Sequence, residues 1–274
     1  MPDVLNPPPR IIAVANQKGG VGKTTTAINL AAALVERGGR VLLVDLDPQG
    51  NASTGLGIET KDRKLTSYDL LMEGAALEDV ILKTKFDGLY LCPANADLSS
   101  ADMQLVSNEK RSFLLHDALR HPGIDSFAFE VVLIDCPPSL SLLTVNALVA
   151  AHSVLVPLQS EFFALEGLSQ LMVTIREIRA TANPSLRIEG VVLTMFDGRN
   201  NLSQLVEADA RATLGDLVFK TVVPRNVRVS EAPSYALPVL SYDSTSRGAA
   251  AYRELASEIV ARHPAGTFTK EATQ

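Results

Sequence analysis

Along this chain, short blocks of β-branched and aliphatic residues alternate with stretches whose apolar positions recur every three or four residues. The blocks at Ile11–Ala15, Val41–Val44, Leu89–Cys92, Val131–Ile134, Val154–Pro157, Ile188–Leu193 and Leu217–Val223 predict strands. Several are apolar throughout rather than at every second place, as in parallel strands buried on both faces. The longer period predicts helices over Thr24–Arg37, Arg111–Arg120, Leu140–Ala150, Leu165–Thr181, Leu202–Leu214 and Ser246–Arg262. Gly38-Gly39 supplies a stop for the first of them. In the last, Ala249, Tyr252, Leu255, Ala256, Ile259 and Val260 form one stripe, which reads as a packing face. Strands and helices in alternation imply crossover units. The expected class is α/β, a doubly wound, mostly parallel sheet with helices on both faces. Ligands of such sheets sit at the carboxyl ends of the strands.

Composition narrows the picture modestly. The 274 residues are 46% hydrophobic and 20% charged, with a formal net charge of −6. That balance argues against a surface that clings everywhere to DNA or anionic lipid, but it allows a local basic patch. No apolar run approaches the ~20 residues of a membrane-spanning helix. Residues 1–10 hold three consecutive prolines, Pro7 to Pro9, and lack the basic-then-apolar layout of a signal peptide, so a cytoplasmic setting is expected. Residues 11–263 read as one domain, and the polar segment 264–274 as a disordered tail. Cys92 and Cys136 have no ligand spacing and read as buried, reduced thiols.

The chemistry begins at Lys18-Gly19-Gly20-Val21-Gly22-Lys23-Thr24-Thr25, between a predicted strand and a predicted helix. Glycines let backbone N–H groups turn inward around phosphate oxygens, and the helix N-terminus adds positive potential. Lys23 is expected on the β- and γ-phosphates and the Thr24 hydroxyl on Mg²⁺. The general phosphate-loop pattern wants a glycine separated by four residues from the Gly22-Lys23 pair; Gln17 stands there, and an extra lysine, Lys18, follows it. Two further strands run into aspartates, at Asp45-Leu46-Asp47-Pro48 and at Asp135-Cys136-Pro137-Pro138. Asp135 suits a magnesium-holding role. For Asp45 and Asp47 a capped turn before Pro48 is the competing reading.

KGGVGKTT, VDLDPQGN, LIDCPPS and PRNVRVSEAPS together resemble the ParA/Soj chromosome- and plasmid-partitioning ATPases of the MinD/ParA superfamily, whose phosphate loop is of the deviant Walker A kind. The likeness runs over about residues 10 to 262. It implies a P-loop NTPase fold and slow ATP hydrolysis with Mg²⁺ in an ATP-sandwich homodimer. It places Lys18 on the partner subunit's nucleotide, Gly20 at the interface between subunits, and Asp47 on the attacking water. It further implies that Pro224 and Asn226 contact adenine and that Arg199 and Arg228 contact double-stranded DNA without regard to sequence. A centromere-binding, ParB-like partner would stimulate hydrolysis and release the protein from the nucleoid. Residues 176–228 carry eight basic and six acidic side chains, a weak local excess that by itself reads as scattered surface arginines.

Other readings fare less well. A MinD-like positioning ATPase that binds membranes needs a C-terminal amphipathic helix with a basic face, and the last helix mixes Glu254 and Glu258 with Arg253 and Arg262. An iron–sulfur reductase needs cysteines placed to bridge a cluster. A small-molecule kinase or ligase needs an acceptor motif, and His116, His121, His152 and His263 stand isolated. The first strand begins near Ile11, so no separate sequence-reading DNA domain is expected before it.

Overall fold

The computed structural model describes residues 7–106, 108–161 and 164–263. Residues 1–6 and the segment 264–274, for which disorder is expected, lie outside these. Eight strands form one sheet: β1 (Arg10–Val14), β2 (Val41–Asp45), β3 (Leu82–Lys83), β4 (Leu89–Cys92), β5 (Val131–Asp135), β6 (Ser153–Gln159), β7 (Arg187–Phe196) and β8 (Val218–Pro224). Their spatial order is β3-β4-β2-β5-β1-β6-β7-β8, and only the β3–β4 pair is antiparallel. All seven expected strands are present. The two-residue β3 is the addition, too short for periodicity to signal.

Helices among the described residues are α1 (Lys23–Glu36), α2 (Asn51–Gly55), α3 (Leu77–Val80), α4 (Ala101–Gln104), α5 (Leu114–Ala118), α6 (Leu142–Ala150), α7 (Ala164–Thr181), α8 (Asn201–Leu214), α9 (Val227–Glu231), α10 (Val239–Tyr242) and α11 (Arg247–Ala261). The short ones connect the sheet to its long helices. The helix expected over 111–120 shrinks to α5 for a visible reason. Asn146 of α6 donates to the Arg111 carbonyl at 2.7 Å and accepts from the Leu115 amide at 3.2 Å. A continuous helix would join that carbonyl and amide to each other; a buried side chain takes both instead.

The two faces of the sheet build two cores. Along β2, Leu42 and Val44 pack into one, while Val41 and Leu43 pack into the other with α1 and α11. Both faces are apolar because both are covered, which is why the strand sequences do not alternate. Ile12 and Val14 are 0% exposed, each worth roughly 1.5–3 kcal/mol of burial. The stripe read on α11 is buried through Ala249, Tyr252, Leu255, Ala256 and Ile259. The exposed edge, β8, is also blunted. Glu258 of α11 accepts from the amides of Lys220 and Thr221 at 2.9 and 2.7 Å, and Arg211 of α8 donates to the Phe219 carbonyl at 3.2 Å.

What positions a ligand is the central place of β1. The chain leaves β1 toward β2 on one side of the sheet, while its neighbour β5 leads to β6 on the other, so the loops diverge beyond the carboxyl ends of these two strands and leave a crevice there.

Candidate functional site

The loop after β1 enters that crevice. Gly20 and Gly22 have φ of 75° and 84°, a region that side chains with a Cβ adopt only with strain. Gly22 leads directly into Lys23, the first residue of α1. The loop is braced from both sides. Asn16 donates to the Pro157 carbonyl at 2.8 Å and accepts from the Lys18 amide at 3.1 Å. Thr194 of β7 donates its hydroxyl to the Val21 carbonyl at 2.8 Å. Neither Asn16 nor Thr194 stood out in the sequence. Thr194 lies 173 positions from its partner, and no local signal could have found it.

The two lysines part company. Lys23 is 6% exposed, and its ammonium donates to the Lys18 carbonyl at 2.9 Å across the loop. Burial pulls its pKa down, opposed by the charges of Asp135, Cys136 and Asp47. Lys18 directs its side chain away from the loop and pairs with Glu161 at 3.0 Å, both partly exposed.

The three aspartates at neighbouring strand ends differ sharply. Asp45 is fully buried, and its carboxylate accepts from the Ser53 amide and hydroxyl at 2.9 and 2.7 Å and from the Asp47 amide at 3.2 Å. It caps the turn into α2. These bonds are those of the capped-turn reading of Asp45. Burial raises its pKa to about 6 despite those bonds. Asp47 is 7% exposed; one of its oxygens accepts from the Gln49 amide at 3.0 Å, a side-chain cap of the turn through Pro48.

Asp135 is 0% exposed, and neither of its oxygens has a hydrogen-bond partner of ordinary geometry among the described residues. Its pKa is raised well above the carboxylate range, by burial first and by the charge of Asp45 next, while the nearby Thr24 hydroxyl and Lys23 ammonium pull it down. A buried carboxylate left without donors is costly. Beside a threonine hydroxyl it offers the all-oxygen donors that a hard divalent cation takes.

On the other side of the loop, Gly22, Thr25, Thr194, Met195, Pro224, Asn226, Val229 and Tyr252 line a cavity of about 250 Å³. Chain positions some two hundred residues apart meet because β8 and β7 pair at Pro224 and Phe196. Asn226 caps α9 by accepting from the Arg228 amide at 2.8 Å. Gly248 lets α11 approach α9, since a Cβ there would lie 2.3 Å from Val229. The cavity is half apolar and half polar in its residues, as suits a base lying beside a phosphate loop.

Arg199 and Arg228 leave the ends of the same two strands. Arg199 is exposed and makes a two-pronged pair with Asp197, both prongs at 3.0 Å. Arg228 reaches Glu231 at 3.0 Å and Asp243 at 3.3 Å. Elsewhere the thiols of Cys92 and Cys136 are buried and unbridged, with pKa pushed up by burial. His152 accepts from the Ile11 amide at 2.9 Å and its pKa falls to about 4, chiefly through burial; its role is to hold a strand end.

A braced glycine loop at the central strand, leading into a helix and facing bare and capped aspartates, defines a phosphate-loop ATPase fold, here with the second lysine of the deviant Walker A kind. The AAA domain family matches residues 9–188. The chain is 56% identical over 255 residues to the chromosome partitioning protein ParA of Caulobacter vibrioides, covering 93% of this chain and 95% of that one. It is 50% identical over 252 residues to the sporulation initiation inhibitor protein Soj of Bacillus subtilis, covering 92% and 98%. Among solved structures, the cell division ATPase MinD of Pyrococcus furiosus superposes with a TM-score of 0.75 at 30% identity, covering 93% and 99%. The cobyrinic acid a,c-diamide synthase of Mycobacterium smegmatis, solved with bound ADP and magnesium, superposes at 0.79 with 39% identity, covering 92% and 94%. The chain belongs to the ParA/Soj family of partitioning ATPases within the MinD/ParA superfamily.

Proposed function

We propose that this chain is an ATP-switched DNA-partitioning ATPase whose ATP-bound homodimer holds DNA without sequence preference, and whose hydrolysis, stimulated by a ParB-like protein in the cytoplasm, releases it. The observation that carries the dimer is the divergence of the two lysines. Lys23 fills its own loop, while Lys18 turns away from that loop toward an exposed carboxylate. A cation so placed serves a nucleotide held by a second subunit, with Gly20 close to the contact.

In this reading Lys23 and the loop amides of Gly19 to Thr25 hold the phosphates. Thr24 and Asp135 would hold Mg²⁺, whose contribution is to neutralise charge on the phosphate oxygens. Asp47 orients the attacking water. Pro224 and Asn226 receive the adenine. Arg199 and Arg228 meet the DNA backbone. Intrinsic turnover is slow, because the loop supplies phosphate clamps without a glutamine or arginine finger among the residues assigned here.

Light scattering of the full chain with ATP and with ADP tests the central claim. The expected result is a dimer with ATP, a monomer with ADP, and loss of the ATP dimer in Lys18→Ala with some nucleotide binding kept. Normal dimerisation and turnover in that variant would sink the role of Lys18. Co-sedimentation with DNA and with anionic liposomes separates the cargo surfaces. ATP-dependent pelleting with liposomes and none with DNA would favour a MinD-like activity.

A further inference from the structure

The two arginines assigned to DNA are held by carboxylates of their own chain. β7 ends at Phe196 and β8 at Pro224, these residues are paired, and the Arg225 amide donates to the Phe196 carbonyl at 2.9 Å. Asp197-Gly198-Arg199 and Arg225 to Arg228 therefore leave the sheet side by side. The Asp197 carboxylate takes Nε and Nη2 of Arg199, each at 3.0 Å, and also accepts the Arg199 amide at 3.1 Å. Arg228 gives Nη1 to Glu231 at 3.0 Å and Nε to Asp243 at 3.3 Å, and the Tyr242 hydroxyl donates to the same Glu231 oxygen at 3.2 Å. Three arginines (Arg199, Arg225, Arg228) thus share one edge with three carboxylates (Asp197, Glu231, Asp243), and the edge is electrically neutral.

These pairs contribute little to stability. The Arg199 side chain is 92% exposed and that of Asp197 33%, and exposed ion pairs of this kind are worth next to nothing to a fold. Their consequence is for the field that an incoming polyanion meets. Two of the five guanidinium N–H groups of Arg199 are already spent on Asp197, in the two-pronged geometry that a phosphate would otherwise use.

Resting on the DNA reading given above, we propose that Asp197 and Glu231, with Asp243, are electrostatic restraints that keep a single subunit off DNA, so that duplex binding requires the two copies of the edge that a dimer presents. Phosphate oxygens compete with these carboxylates for the same N–H groups. One neutral edge offers no net attraction and a chain of net charge −6 opposes approach, whereas two edges on one duplex make the second engagement intramolecular. The ATP dependence of DNA binding is then set partly by acids that never touch the nucleotide.

Fluorescence anisotropy with labelled duplex DNA decides this, using the full chain in ADP and in ATP at about 100 mM salt, near physiological ionic strength. Asp197→Asn keeps an oxygen for the Arg199 amide and removes the charge; Glu231→Gln does the same beside Arg228. Light scattering verifies that each variant still dimerises with ATP. The expected result is about tenfold tighter binding with ATP in each variant, because a modest surface term acts twice on one duplex, and measurable binding with ADP in the double variant. Equal or weaker binding in both variants overturns the restraint and makes the carboxylates mere supports of the guanidinium. Arg199→Glu and Arg228→Glu are run in the same titration. If they bind as wild type, the DNA face itself is wrong and the proposal falls with it. If they lose binding while Asp197→Asn and Glu231→Gln gain none, the restraint alone is refuted.

Discussion

Asp135 and Asp197 both stand where a parallel strand runs out, at the ends of β5 and β7, and their surroundings make them opposites. Asp135 is buried, has no hydrogen-bond partner of ordinary geometry among the described residues beyond the nearby Thr24 hydroxyl, and has its pKa raised well above normal by that burial. Asp197 is clasped by the side chain and amide of Arg199, and its pKa falls to about 2. The difference teaches where each region stores its function. In the crevice, the fold tolerates a bare buried carboxylate, a cost that a bound cation would repay. At the arginine edge Arg199 and Arg228 are already paired with carboxylates, and function must come from rearranging those pairs.

The comparison can be broken most severely at Asp135. Asp135→Ala should weaken magnesium-dependent ATP binding by more than about a hundredfold, read by titration calorimetry, with little loss of magnesium-free nucleotide binding. Equal magnesium dependence in the variant would mean that the bare carboxylate is not the cation's ligand. Next in size is Asp47→Ala, which should bind ATP and dimerise while phosphate release drops about a hundredfold. Normal turnover would move water positioning to another group.

A third effect depends on pH. Asp45 has its pKa raised to about 6 from an ordinary 3.8, mainly by burial, and Asp135 is raised for the same first reason. A carboxyl whose folded pKa is raised binds more protons folded than unfolded, so stability is fully present below about pH 4 and declines as pH climbs through about 6. A cation on Asp135 needs the ionised form and expels the proton. The thermal shift produced by Mg-ATP should therefore be larger at about pH 8 than at about pH 5, on the scale of 1.4 kcal/mol per proton per pH unit. A pH-independent shift in scanning fluorimetry would show that Asp135 is already ionised before the cation arrives. The smallest effect belongs to the edge. Arg199→Ala should change unfolding free energy by less than about 0.5 kcal/mol in urea titration, since its ion pair is exposed. A larger loss would mean that the edge, like the crevice, is part of what holds the fold.

Much of this was legible along the chain. The seven long strands, the glycine loop and the aspartates at strand ends could be read from local pattern alone, because hydrophobic period and glycine content act over neighbouring residues. The helix over 111–120 was misjudged, since the periodicity could not reveal that Asn146 takes the Arg111 carbonyl and the Leu115 amide. For Asp45 the local pattern left the choice open, because Ser53, eight residues on, holds its carboxylate. The bracing of the loop by Asn16 and Thr194, and the counter-charge Asp243 on Arg228, carried no local sequence signal, unlike Glu231, which stands at i+3 from that arginine.

By itself the sequence determined the α/β class, the phosphate loop with its second lysine, and the family likeness, all written in contiguous residues whose backbone preferences and side-chain types are local. Only the tertiary structure decided which aspartate is bare, which lysine leaves the loop, and that Pro224 and Asn226 share a cavity with Gly22. The reason is physical. Solvation, charge and hydrogen bonding depend on whatever lies within a few ångströms, and in a sheet ordered β5-β1-β6-β7-β8 those neighbours come from the far ends of the chain.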